Sequence, residues 1–242
     1  MSTKTRGIIF HTIKYGETGL IVKIYTETSG LQSFIISNVT SKKTKMKGGI
    51  FEPMTLVELI FEPKENRSLQ RIKEIRTSPT FHSISTDIVK SSLLLFMNEI
   101  VYKSIKEQGH PDQPLFDYIF TSLLILDLNP KPNPNFHLYF MVQLSRLFGF
   151  FPLGEYSELT PYFDLKEGKF IQSNIELLIT MNENLSSDLY FLMNCDIDEL
   201  ENLKLNHSIR KSLMNKLLLY FELHLSTFKN MKTPDILEAI FS

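Results

Sequence analysis

The 242-residue chain contains one cysteine and no tryptophan. A lone thiol, Cys195, excludes an internal disulfide and any zinc site that needs two or more cysteine ligands. No stretch approaches the roughly 18 apolar residues that a bilayer-spanning helix requires. The opening Met1-Ser2-Thr3-Lys4-Thr5-Arg6 runs into alternating residues rather than an apolar block, so a cytoplasmic, untethered protein is expected. The catalytic signatures G-x-x-x-x-G-K-[ST], H-E-x-x-H and G-x-S-x-G are all missing, and the six histidines show no ligand spacing. Asp196-Ile197-Asp198-Glu199 begins like a calcium loop, but Leu200 takes the third ligand position and no glycine follows. It reads instead as the acid-rich first turn of a helix. Neither an enzyme, a cofactor nor a bound metal is expected.

What is present is an ordinary globular composition, 43% hydrophobic and 22% charged, with a net charge of −1. Disordered and low-complexity classes are thereby excluded, and the chain is long enough to fill one large core or two modest ones. The near-neutral total hides an asymmetry. Residues 1–80 carry 13 Lys and Arg against 7 Glu and no Asp, whereas 81–242 carry 13 basic against 20 acidic residues. A basic first third points to an anionic partner, unless the lysines merely solvate strand edges.

Periodicity changes at the same place. From Gly7 to Arg76 the sequence reads as five short strands: 7–15, 20–26, 31–39, 54–61 and 69–76, broken at Gly16, Ser29-Gly30, Pro53, Pro63 and Ser78-Pro79. Five strands with no helix between them predict a closed barrel of the OB type, because closure removes exposed edges. After Pro79 the period becomes helical. Helices are expected over 84–108 with Ser83 or Ser85 as N-cap, over 114–128, from Pro134 to 148, and over 186–193, 196–203 and 208–228. Thr233-Pro234-Asp235 opens a short terminal one. Residues 156–171 have no helical period and read as an irregular loop or a small hairpin. The expectation is an α+β, multidomain chain: an N-terminal five-stranded OB-fold β-barrel (1–80), then an all-α helical domain (81–242) with an irregular loop near 150–171.

One cluster carries chemistry. Ser41-Lys42-Lys43-Thr44-Lys45-Met46-Lys47-Gly48-Gly49 places four ammonium groups in six positions, with no acid between Thr28 and Phe51. Lysines on a Gly-ended loop suit an irregular polyanion, because a point charge holds phosphate without reading sequence. Lys23, Arg71, Lys73 and Arg76 on neighbouring strands add to it. Phe10, Tyr15, Tyr25, Phe34, Phe51 and Phe61 offer faces for stacking unpaired bases, although several must be barrel core. The alternation of Tyr25 with Val22 and Ile24 aims its ring outward. In the helical part, Arg146 stands alone in the apolar run Phe140 to Gly149 and either pairs with a carboxylate or lines a groove for an acidic peptide.

Lys4-Thr5-Arg6-Gly7-Ile8-Ile9, Tyr15-Gly16-Glu17-Thr18 and Ile24-Tyr25-Thr26-Glu27-Thr28-Ser29-Gly30, in that order, resemble the opening of the RecO family of bacterial recombination mediators. The basic loop followed by Phe51-Glu52-Pro53 is similar to that family's basic loop and next strand. Leu144 to Gly149, Phe151-Pro152, Tyr162-Phe163-Asp164 and Glu167-Gly168-Lys169-Phe170 resemble its central helical region. The resemblance covers nearly the whole chain. It implies an OB-fold followed by a helical domain, binding of single- and double-stranded DNA, annealing of complementary strands, and partnership with RecR. It further implies binding to the C-terminal acidic tail of single-stranded DNA-binding protein, RecA loading as an indirect outcome, and association with the nucleoid. Many family members hold a four-cysteine zinc site where this chain has residues 150–170 without a cysteine. Zinc is therefore not expected, and packing of Tyr156, Tyr162 and Phe163 must hold that segment. The DNA-binding residues expected are Lys42, Lys43, Lys45 and Lys47, supported by Lys23, Arg71, Arg76 and Tyr25, with Arg146 as the partner-binding residue. The rival readings are a protein-interaction adaptor with an incidental basic loop, and an OB-fold protein whose ligand is RNA.

Overall fold

Alternating residues from Thr3 onward build one long strand, β1 (Thr3–Tyr15), which Gly16 ends in the left-handed region. The computed structural model describes residues 2–37, 48–64, 67–105, 110–173, 178–229 and 231–240. β1 is followed by β2 (Gly19–Thr26), β3 (Gly30–Ile36), a 3-10 turn (Gly48–Phe51), β4 (Leu56–Phe61) and β5 (Gln70–Thr77). These strands close in the order β1-β2-β3-β5-β4, as the strand reading predicts. All pairings are antiparallel except β3 with β5, which touch only at Phe34↔Gln70 and Ile35↔Arg71. The barrel interior is filled by Ile9, Val22, Ile24, Phe34, Val57, Leu59 and Phe61, with Ile50 and Phe51 of the 3-10 turn joining them. Gly7 is required on β1 because a Cβ there would lie 2.7 Å from Ile24 Cγ2.

Two helices belong to the same compact unit, Met1–Asn129: α1 (Ile88–Ile105) and α2 (Gln113–Leu128). The strand-to-helix change at Pro79 thus separates kinds of secondary structure, while the packing boundary falls between Asn129 and Pro130. α2 is capped by Asp112, whose side chain accepts from Leu115 N, and Pro114 occupies the first turn. α1 is capped differently from the expectation. The Asp87 carboxylate accepts from Val89 N (2.8 Å) and Lys90 N (3.1 Å). Ser83 is instead drawn into a buried polar knot, donating to the Asp127 carbonyl (2.6 Å). In that knot the Asp127 carboxylate accepts from the backbone N–H groups of His82, Ser83 and Ile84. Lys90, 2% exposed, donates to Ser83 Oγ (2.6 Å) and the Asp127 carbonyl (2.9 Å).

Barrel and helices are clamped by Arg6. Its guanidinium makes a bidentate pair with Glu27 (2.8 Å each) and reaches Asp117 (3.0 Å). Its other face lies over the rings of Phe116 and Phe120, 5.1 and 4.8 Å from their centroids. Such a planar, bidentate and stacked arrangement suits Arg and not Lys. Hydrogen bonding from Arg6 holds the Glu27 carboxyl below its ordinary range, against the opposing effect of burial.

The second unit, Pro130–Ser242, comprises α3 (Phe136–Leu147), a small sheet of β6 (Tyr162–Asp164), β7 (Lys169–Ile171) and β8 (Thr180–Met181) in the order β7-β6-β8, then α4 (Glu183–Asn194), a 3-10 turn (Ile197–Asn202), α5 (His207–His224) and α6 (Thr233–Ile240). The segment read as a loop or a small hairpin therefore forms a hairpin, joined by a third strand. Asp196 and Glu199 close a capping box on the 3-10 turn. Aromatic packing fastens residues 150–171. Phe163 meets Phe170 and Tyr220 edge-on, Phe170 meets Tyr156 and Tyr190, and Phe150 stacks on His224 with 4° between planes. The Tyr220 hydroxyl donates to the Phe150 carbonyl. Tyr162 donates its hydroxyl to Glu183 (3.0 Å). Cys195 is buried, and desolvation pushes its thiol up to about 11. Among the described residues, no helix is long and apolar enough to cross a membrane.

Candidate nucleic-acid interface

Strand register decides which basic side chains share a face. Lys23 on β2 stands opposite His11 on β1 and Ser33 on β3. Two residues away, Ile21 pairs with Ile13 and Ile35, and Ile35 in turn faces Arg71 across the short parallel contact. Because side chains alternate, Lys23, Ser33, Ile21, Ile35 and Arg71 all lie on the outer surface of the barrel. This is the β2–β3 face through which OB barrels commonly take oligonucleotides. Lys23 and Arg71 have no carboxylate partner among the described residues.

β3 and β5 separate after their two paired positions, and a cleft of about 1090 Å3 opens there. Lys4, Arg71, Lys73 and Arg76 line it, with Glu58 and Glu74 as its acids and Ile60, Ile72 and Ile75 among its apolar lining. Ser37 and Phe51 line it as well. Three of its cations are engaged. Arg76 pairs with Glu58 (2.7 Å), which Lys4 also approaches (3.4 Å), and Lys73 pairs with Glu62. The hydrogen bond from Arg76 keeps the Glu58 carboxyl below its ordinary range. Both pairs are solvent-exposed and therefore weak, so a phosphate can take over the cation.

The expected site residues divide accordingly. Lys42, Lys43, Lys45 and Lys47 lie outside the described residues. Lys23 and Arg71 come together on one face, and Arg76 lies along the cleft within an ion pair. Tyr25 requires a correction: its ring is fully buried. Alternation does turn it away from the barrel interior, but α2 covers that side. Tyr25 packs on Phe116 and on Phe10, and its hydroxyl donates to the Asp112 carbonyl (3.4 Å). Desolvation raises its phenol to about 12. Of the six aromatics proposed for stacking, Phe34, Phe51 and Phe61 are core, and the β-bulge residue Phe10 packs on Tyr102 of α1. Only Tyr15, 53% exposed, keeps an open ring. Lys4 was missed because β1 begins earlier than Gly7. In the second unit Arg146 is exposed, its guanidinium stacked 3.6 Å above the Phe151 ring.

Known proteins resemble the chain along its whole length. The family model described as Recombination protein O N terminal matches residues 1–81, and the one described as Recombination protein O C terminal matches 85–157. DNA repair protein RecO of Bacteroides fragilis is 34% identical over 242 residues, covering all of both chains. Its counterpart in Flavobacterium johnsoniae is 32% identical over 245 residues, again over all of both. That of Porphyromonas gingivalis is 27% identical over 242 residues, covering 98% of each. With a closed five-stranded barrel followed in sequence by a helical region, and with this breadth of likeness, the chain belongs to the RecO family of DNA repair and recombination proteins.

Proposed function

We propose that the chain is a mediator that works by binding, without a catalytic step of its own. It holds single- and double-stranded DNA, anneals complementary strands and, with RecR, promotes RecA loading on DNA coated by single-stranded DNA-binding protein. The observation that carries this reading is the pair of cations, Lys23 and Arg71, on an open barrel face, without a carboxylate partner among the described residues. Ser37 and Phe51 line the adjoining cleft. Annealing by such a surface needs no nucleophile. Two strands repel as polyanions, and ammonium groups that neutralise both lower that repulsion until base pairing takes over.

A double variant, Lys23→Ala with Arg71→Ala, tests the face. Neither side chain is paired, so thermal stability should stay within about 0.5 kcal/mol of wild type. The log–log salt slope for a single-stranded oligonucleotide should fall by about 1.4, two phosphate contacts at about 0.7 each. An unchanged slope in the folded variant removes these residues from the site.

Arg146 supports the partner reading. Stacked on Phe151, it offers a fixed guanidinium plane to a carboxylate, the geometry that an acidic C-terminal tail requires. Arg146→Ala should weaken capture of the acidic tail peptide of single-stranded DNA-binding protein by roughly tenfold, since charge-assisted hydrogen bonds contribute about 1.5–3 kcal/mol. Capture of single-stranded DNA should not change. Equal capture of the peptide by both forms assigns the tail elsewhere.

A further inference from the structure

A second hollow, of about 700 Å3, opens where β5 ends. Its walls are Ile50 and Pro53 beside the 3-10 turn, Phe81 after β5, and Leu94 and Leu95 of α1. Arg76 and Glu52 are its only charged lining residues among the described ones, and Ile75 and Arg76 line both this hollow and the basic cleft. The two depressions therefore adjoin along one strand of the barrel. Ser37 and Phe51 line the cleft, while Gly49 and Ile50 line the hollow.

We propose that this apolar hollow receives unpaired bases of a single DNA strand whose backbone lies along the basic cleft, an inference that rests on the phosphate-binding reading above. A cation at the junction fits it. Arg76, whose side chain is 71% exposed, stands where the backbone would turn a base inward. The lining fits as well: the Phe81 ring and aliphatic walls offer contact that does not depend on base identity, and Thr55, Thr77, Thr80, Ser85 and Ser91 add hydroxyls at the edges that any base can hydrogen-bond. A duplex cannot use the hollow, because its bases are stacked and paired and only their edges reach the grooves. The hollow therefore confers preference for single strands, whereas the lysines and the outer face bind any phosphate backbone.

Fluorescence anisotropy with the full chain at one fixed salt concentration tests this. The probes are a thymidine oligonucleotide, the same length of strand with a run of abasic sites, and a duplex. Wild type should bind the intact strand about tenfold more tightly than the abasic one, the scale of one stacked base. Leu95→Gln, at a position already 40% exposed, should erase that difference and leave abasic-strand and duplex affinity unchanged. Phe81→Ala should do the same. A wild type that binds both strands equally, or a difference that survives both variants, overturns the base-binding role while leaving the phosphate cleft in place. A peptide seat in this hollow would give that result. Failure of wild type to bind any of the three probes at low salt overturns the cleft and the hollow together.

Discussion

Replacing Lys42, Lys43, Lys45 and Lys47 by alanine should lower the slope of log affinity against log salt on single strands by about 2.8, four contacts at about 0.7 each. At an ionic strength of about 0.1 M this corresponds to a loss of several hundredfold in affinity, on the order of 10²–10³. The loss should be alike for oligonucleotides of unrelated sequence, because a lysine on a phosphate reads no base. Secondary structure and melting temperature should be retained, because a run of four ammonium groups within six residues adds no apolar area to the barrel core. Filter binding or anisotropy over a salt series checks the slope. A folded variant with the wild-type slope would place the phosphate contacts elsewhere.

The largest effect on stability should come from Asp127→Ala. Its carboxylate is 4% exposed and is the acceptor for three consecutive backbone N–H groups, while its carbonyl accepts from the buried Lys90. Removing the side chain leaves those three donors unsatisfied. Buried unsatisfied donors cost about 1–3 kcal/mol each, which lowers the melting temperature by roughly 10 °C in a chain of this size. Calorimetry or denaturant unfolding measures it, and a cost under about 1 kcal/mol would mean that the knot is not holding the end of α2 to the segment before α1. Burial opposes the charge on Asp127, but the three N–H groups prevail and hold its carboxyl below the ordinary 3.8. A depressed carboxyl contributes stability that is fully present above the unfolded value and lost as pH falls through the folded one. Wild type should therefore lose stability on acidification below about pH 3.8, and Asp127→Asn should show a shallower decline there.

The barrel was legible in the sequence because each strand alternates and ends at a turn residue: Gly16, Gly30, Pro53, Pro63, Pro79. The lysine cluster was legible as composition. What escaped was everything that depends on a second layer. Alternation gives the side of the sheet on which Tyr25 stands, but not the helix α2 that lies over it. Arg6 was visible only as one more positive charge, because its partners Glu27 and Asp117 lie far along the chain. Ser83 and Ser85 were reasonable caps for α1, yet Asp87 took that place once Ser83 was committed to Asp127. Lys90 within an apolar helix face gave no sign of its acceptors, Ser83 Oγ and the carbonyl of Asp127, 37 positions away. The outer-face pairing of Lys23 with Arg71 depends on the β3–β5 contact, which no local pattern encodes.

The proposed function rests on an electropositive barrel surface that would grip nucleic acid by its phosphates. The most direct measurement is a salt titration of the unmodified chain on single-stranded oligonucleotides of several unrelated sequences. Parallel lines, each falling steeply with log salt, are the predicted result, because released counterions and not base contacts then supply the affinity. Binding that does not change with salt, or that is confined to one sequence, would contradict it.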